Sequence, residues 1–157
     1  MRKELIEQLT RLVDARLLDP LEILLDGDQA VESARAVVSR RAEAWASVML
    51  GLDEQAAVLM TVRVISSLYP QDGPFEPPAE WWRTPLGQVA LRRVGHPSAQ
   101  AVSYSVAGAM LGITRQGVHD LVTRHKLERQ PEGGVTVESV RARASRGLAR
   151  HERNDHA

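Results

Sequence analysis

Apolar residues recur every three or four positions through the first 69 residues, with turn signals between the runs, and this pattern predicts a bundle of amphipathic helices. Leu5, Leu9, Leu12 and Val13 make the first stripe. Asp19-Pro20 has the form of a cap followed by proline at the first helical position, and predicts a short helix through Leu25 that stops at Asp26-Gly27. Asp28 is placed to cap the next helix, which carries Val31, Ala34, Val37, Val38, Ala42, Trp45 and Val48 on one side and ends near Gly51. A further helix is expected after Asp53. Its AAVLMTVRVISSLY is apolar over most of its circumference, which predicts burial in a bundle or against a second subunit.

Residues 70–80, PQDGPFEPPAE, cannot continue a helix and read as a linker, so a domain boundary is expected there. Trp81 and Trp82 follow, and are expected to pack where the linker meets the second domain rather than to stack on bases. Thr84-Pro85 repeats the cap-plus-proline signature and opens a helix that ends near Gly95. Far downstream, Val140, Ala144 and Leu148 form an apolar stripe while Arg143, Arg146, Arg150 and Arg153 recur around another face. That face reads as solvated or as supplementary phosphate-binding. Residues 151–157 read as a disordered tail.

Charge changes the picture. The formal net charge is zero, but residues 1–80 carry 8 Lys/Arg and 14 Asp/Glu, and residues 81–157 carry 12 and 6, together with all five histidines. The C-terminal half is therefore the candidate for a polyanion, while the acidic half would be repelled by phosphates and suits a protein partner. There is no cysteine, and no run of 18 uncharged apolar residues. These features predict a soluble protein of the cytoplasm, associated with the nucleoid, that does not enter the membrane.

The most informative stretch is 102–127, VSYSVAGAMLGITRQGVHDLVTRHKL. Ser103 can cap a helix whose Ala107 and Leu111 point inward, and Gly112 ends it where the chain needs a positive φ. Ile113 plugs the turn. Thr114 caps a second helix with Val118, Leu121 and Val122 on its buried side, and Gly108 is small where the two helices must approach closely. The spacing of these residues is that of a helix-turn-helix.

The same stretch resembles the winged helix-turn-helix of the excisionase and MerR-type DNA-binding families. The resemblance is carried by Ser103, Ala107-Gly108, Leu111-Gly112, Thr114-Arg115 and His125-Lys126-Leu127, and it continues over ERQPEGGV as a wing and Thr136–Val140 as a helix start. It covers residues 102–140, and His125 stands where those families carry glycine. Together with the helical period and apolar excess of the first 69 residues, it leads to the expectation of an all-α fold with one short β-hairpin: a helical, dimerising domain over 1–69, the linker 70–80, and a DNA-binding domain over 81–150.

Removing the buried positions from a 3.6-residue period leaves Arg115, Gln116, His119, Asp120, Thr123 and Arg124 on the exposed face of the second helix. Arginine can donate two hydrogen bonds to guanine, and glutamine can pair both ways with adenine. Asp120 is expected to pair with Arg124 and orient it toward the backbone. Lys126 and Arg129 are expected at phosphates, with neutral phosphate contacts from Ser103, Tyr104 and Ser105 and the cap at Thr114. The expected partner is double-stranded DNA, bound by a homodimer acting as a transcriptional regulator. An excisionase-like recombination or plasmid-maintenance factor is the nearest alternative, and an antitoxin or adaptor the alternative without DNA. No cofactor, metal or catalytic group is expected: the histidines show no HExxH spacing, His119 and His125 fall on different helix faces, and there is no glycine-rich phosphate loop.

Overall fold

Proline at position 20 decides the shape of the N-terminal helices. Helix α1 (Arg2–Val13) runs without a break into a π-helical turn over Asp14–Leu18 and then into α2 (Asp19–Leu24). Within a regular α-helix the proline ring would strike the carbonyl four residues back, that of Arg16. The wider turn, in which the Asp19 N–H bonds to the Asp14 carbonyl, opens the ladder ahead of it. This corrects the expectation that Asp19 caps a separate helix. Its carboxylate instead accepts a hydrogen bond from Arg35 at 2.8 Å.

In this computed structural model residues 1–154 are described, apart from the side chains of Leu148, Ala149, His151 and Glu152. The described chain is mostly helical, with a small two-stranded antiparallel sheet, and divides into two units, Met1–Gln71 and Asp72–Ala157.

In the first unit, α3 (Gln29–Met49) packs on α1 and α4 (Glu54–Leu68) packs on α3. Asp28 caps α3 as expected, accepting from the Ala30 N–H at 2.8 Å, and α4 follows Asp53, which caps it by accepting from the Ala56 N–H at 3.0 Å. The core is built from Leu5, Leu9, Val31, Ala42, Ala46, Met49, Ala57, Ile65 and Leu68. Val37, expected on the buried side of α3, is 45% exposed, because a 3.6-residue period turns it away from the face that Val31 and Ala42 share. Arg35 lies within ion-pair distance of Asp14, Asp19, Glu22 and Glu32. The hydrogen bonds that it donates to Asp19 and Glu22 hold its guanidinium protonated above the ordinary range. The carboxylates of Asp19 and Glu32 are exposed and those of Asp14 and Glu22 half-buried, all open enough to be screened, so the cluster sets the register of α3 against the π turn more than it stabilises. Arg16 donates to the Leu68 carbonyl and lies over the Tyr69 ring, closing the end of α4.

In the second unit a 3₁₀ turn (Ala79–Arg83) precedes α5 (Pro85–Arg93), which Thr84 caps through the Gly87 N–H at 3.2 Å. Then come β1 (Ala101–Val102), α6 (Tyr104–Leu111), α7 (Arg115–Thr123), β2 (Val135–Thr136) and α8 (Val137–Asn154). Helix α6 is central, packed on the 3₁₀ turn, α7 and α8. Trp82, fully buried, sets that core with Leu86, Leu91, Met110, Val118 and Val140. Gln88 donates from Nε2 to the carbonyls of Trp82 at 2.6 Å and Met110 at 3.0 Å, joining the turn to the end of α6. The two tryptophans meet edge to face at 4.9 Å, the packing role expected of them.

Part of the segment expected to be linker belongs to this unit. The Phe75 N–H donates to Ser98 Oγ at 2.7 Å, Ser98 Oγ donates back to the Phe75 carbonyl at 3.0 Å, and the Phe75 ring meets Trp81 at 5.2 Å. Helix α8 runs on to Asn154, where residues 151–157 were expected to be a disordered tail; residues 155–157 and the Leu148 side chain, expected on an apolar stripe, lie outside the described residues.

Candidate nucleic-acid interface

The site starts from three local choices in the sequence. Ser103 Oγ accepts from the Val106 N–H at 3.2 Å and opens α6; Gly112 ends it at φ 69°; Thr114 Oγ1 accepts from the Gly117 N–H at 3.0 Å and opens α7. Between the helices the Ile113 N–H reaches back to the Gly108 carbonyl at 2.9 Å. A Cβ on Gly108 would stand 2.8 Å from the Ile113 carbonyl oxygen. The close approach that requires glycine is thus to the backbone of the turn, not to the second helix as expected. Ala107 and Val118 are fully buried, while Leu111, Leu121 and Val122 are half-buried beside them.

The opposite side of α7 exposes Arg115, Gln116, His119, Asp120, Thr123 and Arg124, the six residues that the helical period singled out. Their internal bonding differs from expectation. Asp120 does not pair with Arg124 but accepts from Gln116 Nε2 at 3.3 Å, one turn toward the N-terminus. The order favoured by the helix dipole, a carboxylate one turn ahead of a cation, would pair Asp120 with Arg124; the amide of Gln116 takes that place instead. Thr123 spends its only hydroxyl proton on the His119 carbonyl at 3.0 Å, so in this conformation it can accept but not donate. Ser103 and Thr114 are likewise engaged as caps, though each keeps its O–H. Tyr104, at the start of α6, lies 6.3 Å ring to ring from His119 and brings the two helix starts onto one surface, with Ser105 exposed beside it.

Beyond α7 the chain leaves through His125 at φ 57°, so a histidine occupies the left-handed position where glycine is usual. Leu127 is buried, while Lys126 and Arg129 are exposed. A tight reversal follows, with the Gln130 N–H on the Gly134 carbonyl at 3.0 Å, the Thr136 N–H on the Glu128 carbonyl at 2.9 Å and a bridge between Arg129 and Val135. The hairpin expected from ERQPEGGV is reduced to that single bridge, and Val135-Thr136 pairs as β2 with residues ahead of α6, Ala101 with Thr136 and Val102 with Val135. Two residues are too few to show a strand period, and nothing in the sequence marked them.

Helix α8 leaves this sheet with the Ser139 N–H on Thr136 Oγ1 at 3.3 Å. Its Arg141 donates from Nε to the Arg92 carbonyl at 3.0 Å, satisfying the C-terminal end of α5. That arginine is structural. Arg146, five residues on, lines the same groove as Lys126 and Arg129, a grouping that sequence spacing did not reveal.

The division of the chain tempers the charge contrast. Asp72, Glu76 and Glu80 fold with the second unit, which holds 12 Lys/Arg against 9 Asp/Glu, net +3, rather than the +6 counted from residue 81. What remains is local: Arg115, Arg124, Lys126, Arg129 and Arg146 have no ion pair among the described residues. No group of three His, Asp or Glu among the described residues is arranged to hold a metal ion, and no described helix is long and apolar enough to cross a membrane. The chain matches no protein-family model, no curated protein and no solved structure.

Proposed function

We propose that the chain is a sequence-specific double-stranded DNA-binding protein, a bacterial transcriptional regulator acting as a homodimer, and that α6, α7 and the reversal at 128–136 serve as a winged helix-turn-helix. The observation that carries this reading is the exposed face of α7. It presents two arginines without ion pairs and a glutamine on the side opposite a fully buried Val118. Arg115 and Gln116 stand at its N-terminal end, the end from which a recognition helix reaches base edges in the major groove. Lys126 and Arg129 flank it as phosphate contacts, and Tyr104 and Ser105 extend the surface.

One small module reads few base pairs, so a second copy is needed for useful specificity. The N-terminal unit supplies the surface for it. Ile23, Leu24, Leu52 and Leu59 are each more than half exposed there, an apolar excess suited to self-association.

The test is selection from a randomised duplex library at two salt concentrations, run beside an Arg115→Ala, Gln116→Ala double variant. A two-fold symmetric motif recovered by the wild type and lost by the variant is expected. Failure to enrich any sequence, with no salt-dependent retention of duplex, would overturn the proposal and direct attention to protein partners.

A further inference from the structure

Lys126 at the exit of α7, Arg129 on the first arm of the reversal and Arg146 on α8 line one surface groove of about 620 Å³. They come from three different elements, 20 residues apart at the extremes of sequence, and none of their side chains has an ion pair or hydrogen bond among the described residues. All three are exposed. Gathering three cations costs mutual repulsion, and the one carboxylate lining the groove, that of Glu128, leaves an excess of positive charge. The carbonyl end of α7 points its negative dipole end the same way, which by itself would disfavour an anion. Three full charges outweigh the half charge of a helix end. The floor is held rigid: Ser139 Oγ accepts from the Glu128 N–H at 3.1 Å and donates to the Thr136 carbonyl at 2.9 Å, so its hydroxyl is committed to tying the reversal to α8.

We infer that this groove seats a backbone phosphate of bound DNA, and that α8, through Arg146, is a DNA-contacting element in its own right. The inference rests on the DNA-binding reading of α7 and deepens it. An anion is the occupant because the groove gathers the cationic side chains of Lys126, Arg129 and Arg146 against the single carboxylate of Glu128. A duplex backbone is the source because the groove adjoins the C-terminal end of α7, one helix length from Arg115, so a strand whose base edges meet that helix carries its phosphates past this end. Arg150 and Arg153, further along α8, do not line it.

The experiment is a sodium chloride titration of binding to a fluorescent 30-base-pair duplex, for the full-length wild type, Arg146→Gln and Arg150→Gln. Arg146→Gln is expected to weaken binding about five- to tenfold at low salt. It should also flatten the dependence of log K on log salt by about 0.9, the value of one phosphate contact, while keeping the sequence preference. Arg150→Gln is expected to leave the slope unchanged, and equal melting temperatures show that folding is intact. A wild-type slope for Arg146→Gln, or an equal loss in both variants, overturns the groove and leaves the reading of α7 standing. Absence of any salt-dependent binding by the wild type overturns both.

Discussion

Gln116 donates its side-chain amide to Asp120 Oδ1 across one turn of α7, at 3.3 Å. Both groups are exposed, so the bond contributes little to stability; its effect is to aim the amide and to set a negative charge where phosphates would approach. Asp120→Ala is expected to bind all duplexes more tightly, and to lose about tenfold in discrimination at the one base pair that Gln116 reads, as judged by competition with singly substituted sites.

Gly108 and Gly117 lie on facing sides of the turn and should respond oppositely to alanine. A Cβ on Gly108 collides with the Ile113 carbonyl, whereas on Gly117 its nearest neighbour is Thr114 Oγ1 at 3.4 Å. Gly108→Ala is expected to destabilise the second unit by about 1–3 kcal/mol. Gly117→Ala should be neutral or stabilise by up to about 1 kcal/mol through helix propensity. Urea unfolding followed by tryptophan fluorescence distinguishes the two, since Trp81 and Trp82 report on this core.

His125 holds a left-handed backbone that costs an L-residue about 1–2 kcal/mol, part of which glycine returns as entropy of the unfolded chain. His125→Gly is expected to stabilise by about 0.5–1 kcal/mol and to raise Tm by about 3–6 °C. A fall in Tm would show that the imidazole makes a compensating contact.

His96 supplies a pH dependence. Its Nδ1 accepts from the N–H groups of Ser98 at 3.1 Å and Ala99 at 3.0 Å, its ring lies 5.2 Å from that of Trp82, and burial pushes its pKa down against an upward pull from Glu76. A folded-state value below the unfolded one, about 6.5, means that the unfolded chain takes up the proton first. The stability is therefore full above about pH 6.5 and is lost as pH falls toward the folded value. The urea midpoint of the wild type is expected to drop between pH 7.5 and 5.5 by more than that of His96→Asn, whose amide oxygen can replace Nδ1 as acceptor without titrating. Equal drops would assign the dependence elsewhere.

Much of this protein is decided by interactions within a few residues of one another. The caps at Asp28, Thr84, Ser103 and Thr114 and the left-handed turn at Gly112 were all legible because they are local and demand particular residue types. The exposed face of α7 was legible for a related reason: a buried Val118 fixes, by helical geometry alone, which side chains must face outward.

What escaped the sequence depends on which of several near-equal partners a group meets. Asp120 could bond one turn in either direction, and helical spacing alone does not choose between Gln116 and Arg124. Ala101-Val102 becomes a strand only because Val135 and Thr136 arrive beside it, and proline 20 is absorbed by a π turn that Arg35 braces from another helix. The sequence by itself determined the helices from Gln29 to Thr123, most of their capped ends and the outward face of α7, since backbone sterics and local hydrogen bonds act along the chain. Tertiary structure alone decided the sheet, the anchoring of Phe75 and the meeting of Arg146 with Lys126 and Arg129, because contacts between distant residues exist only once several elements have packed together.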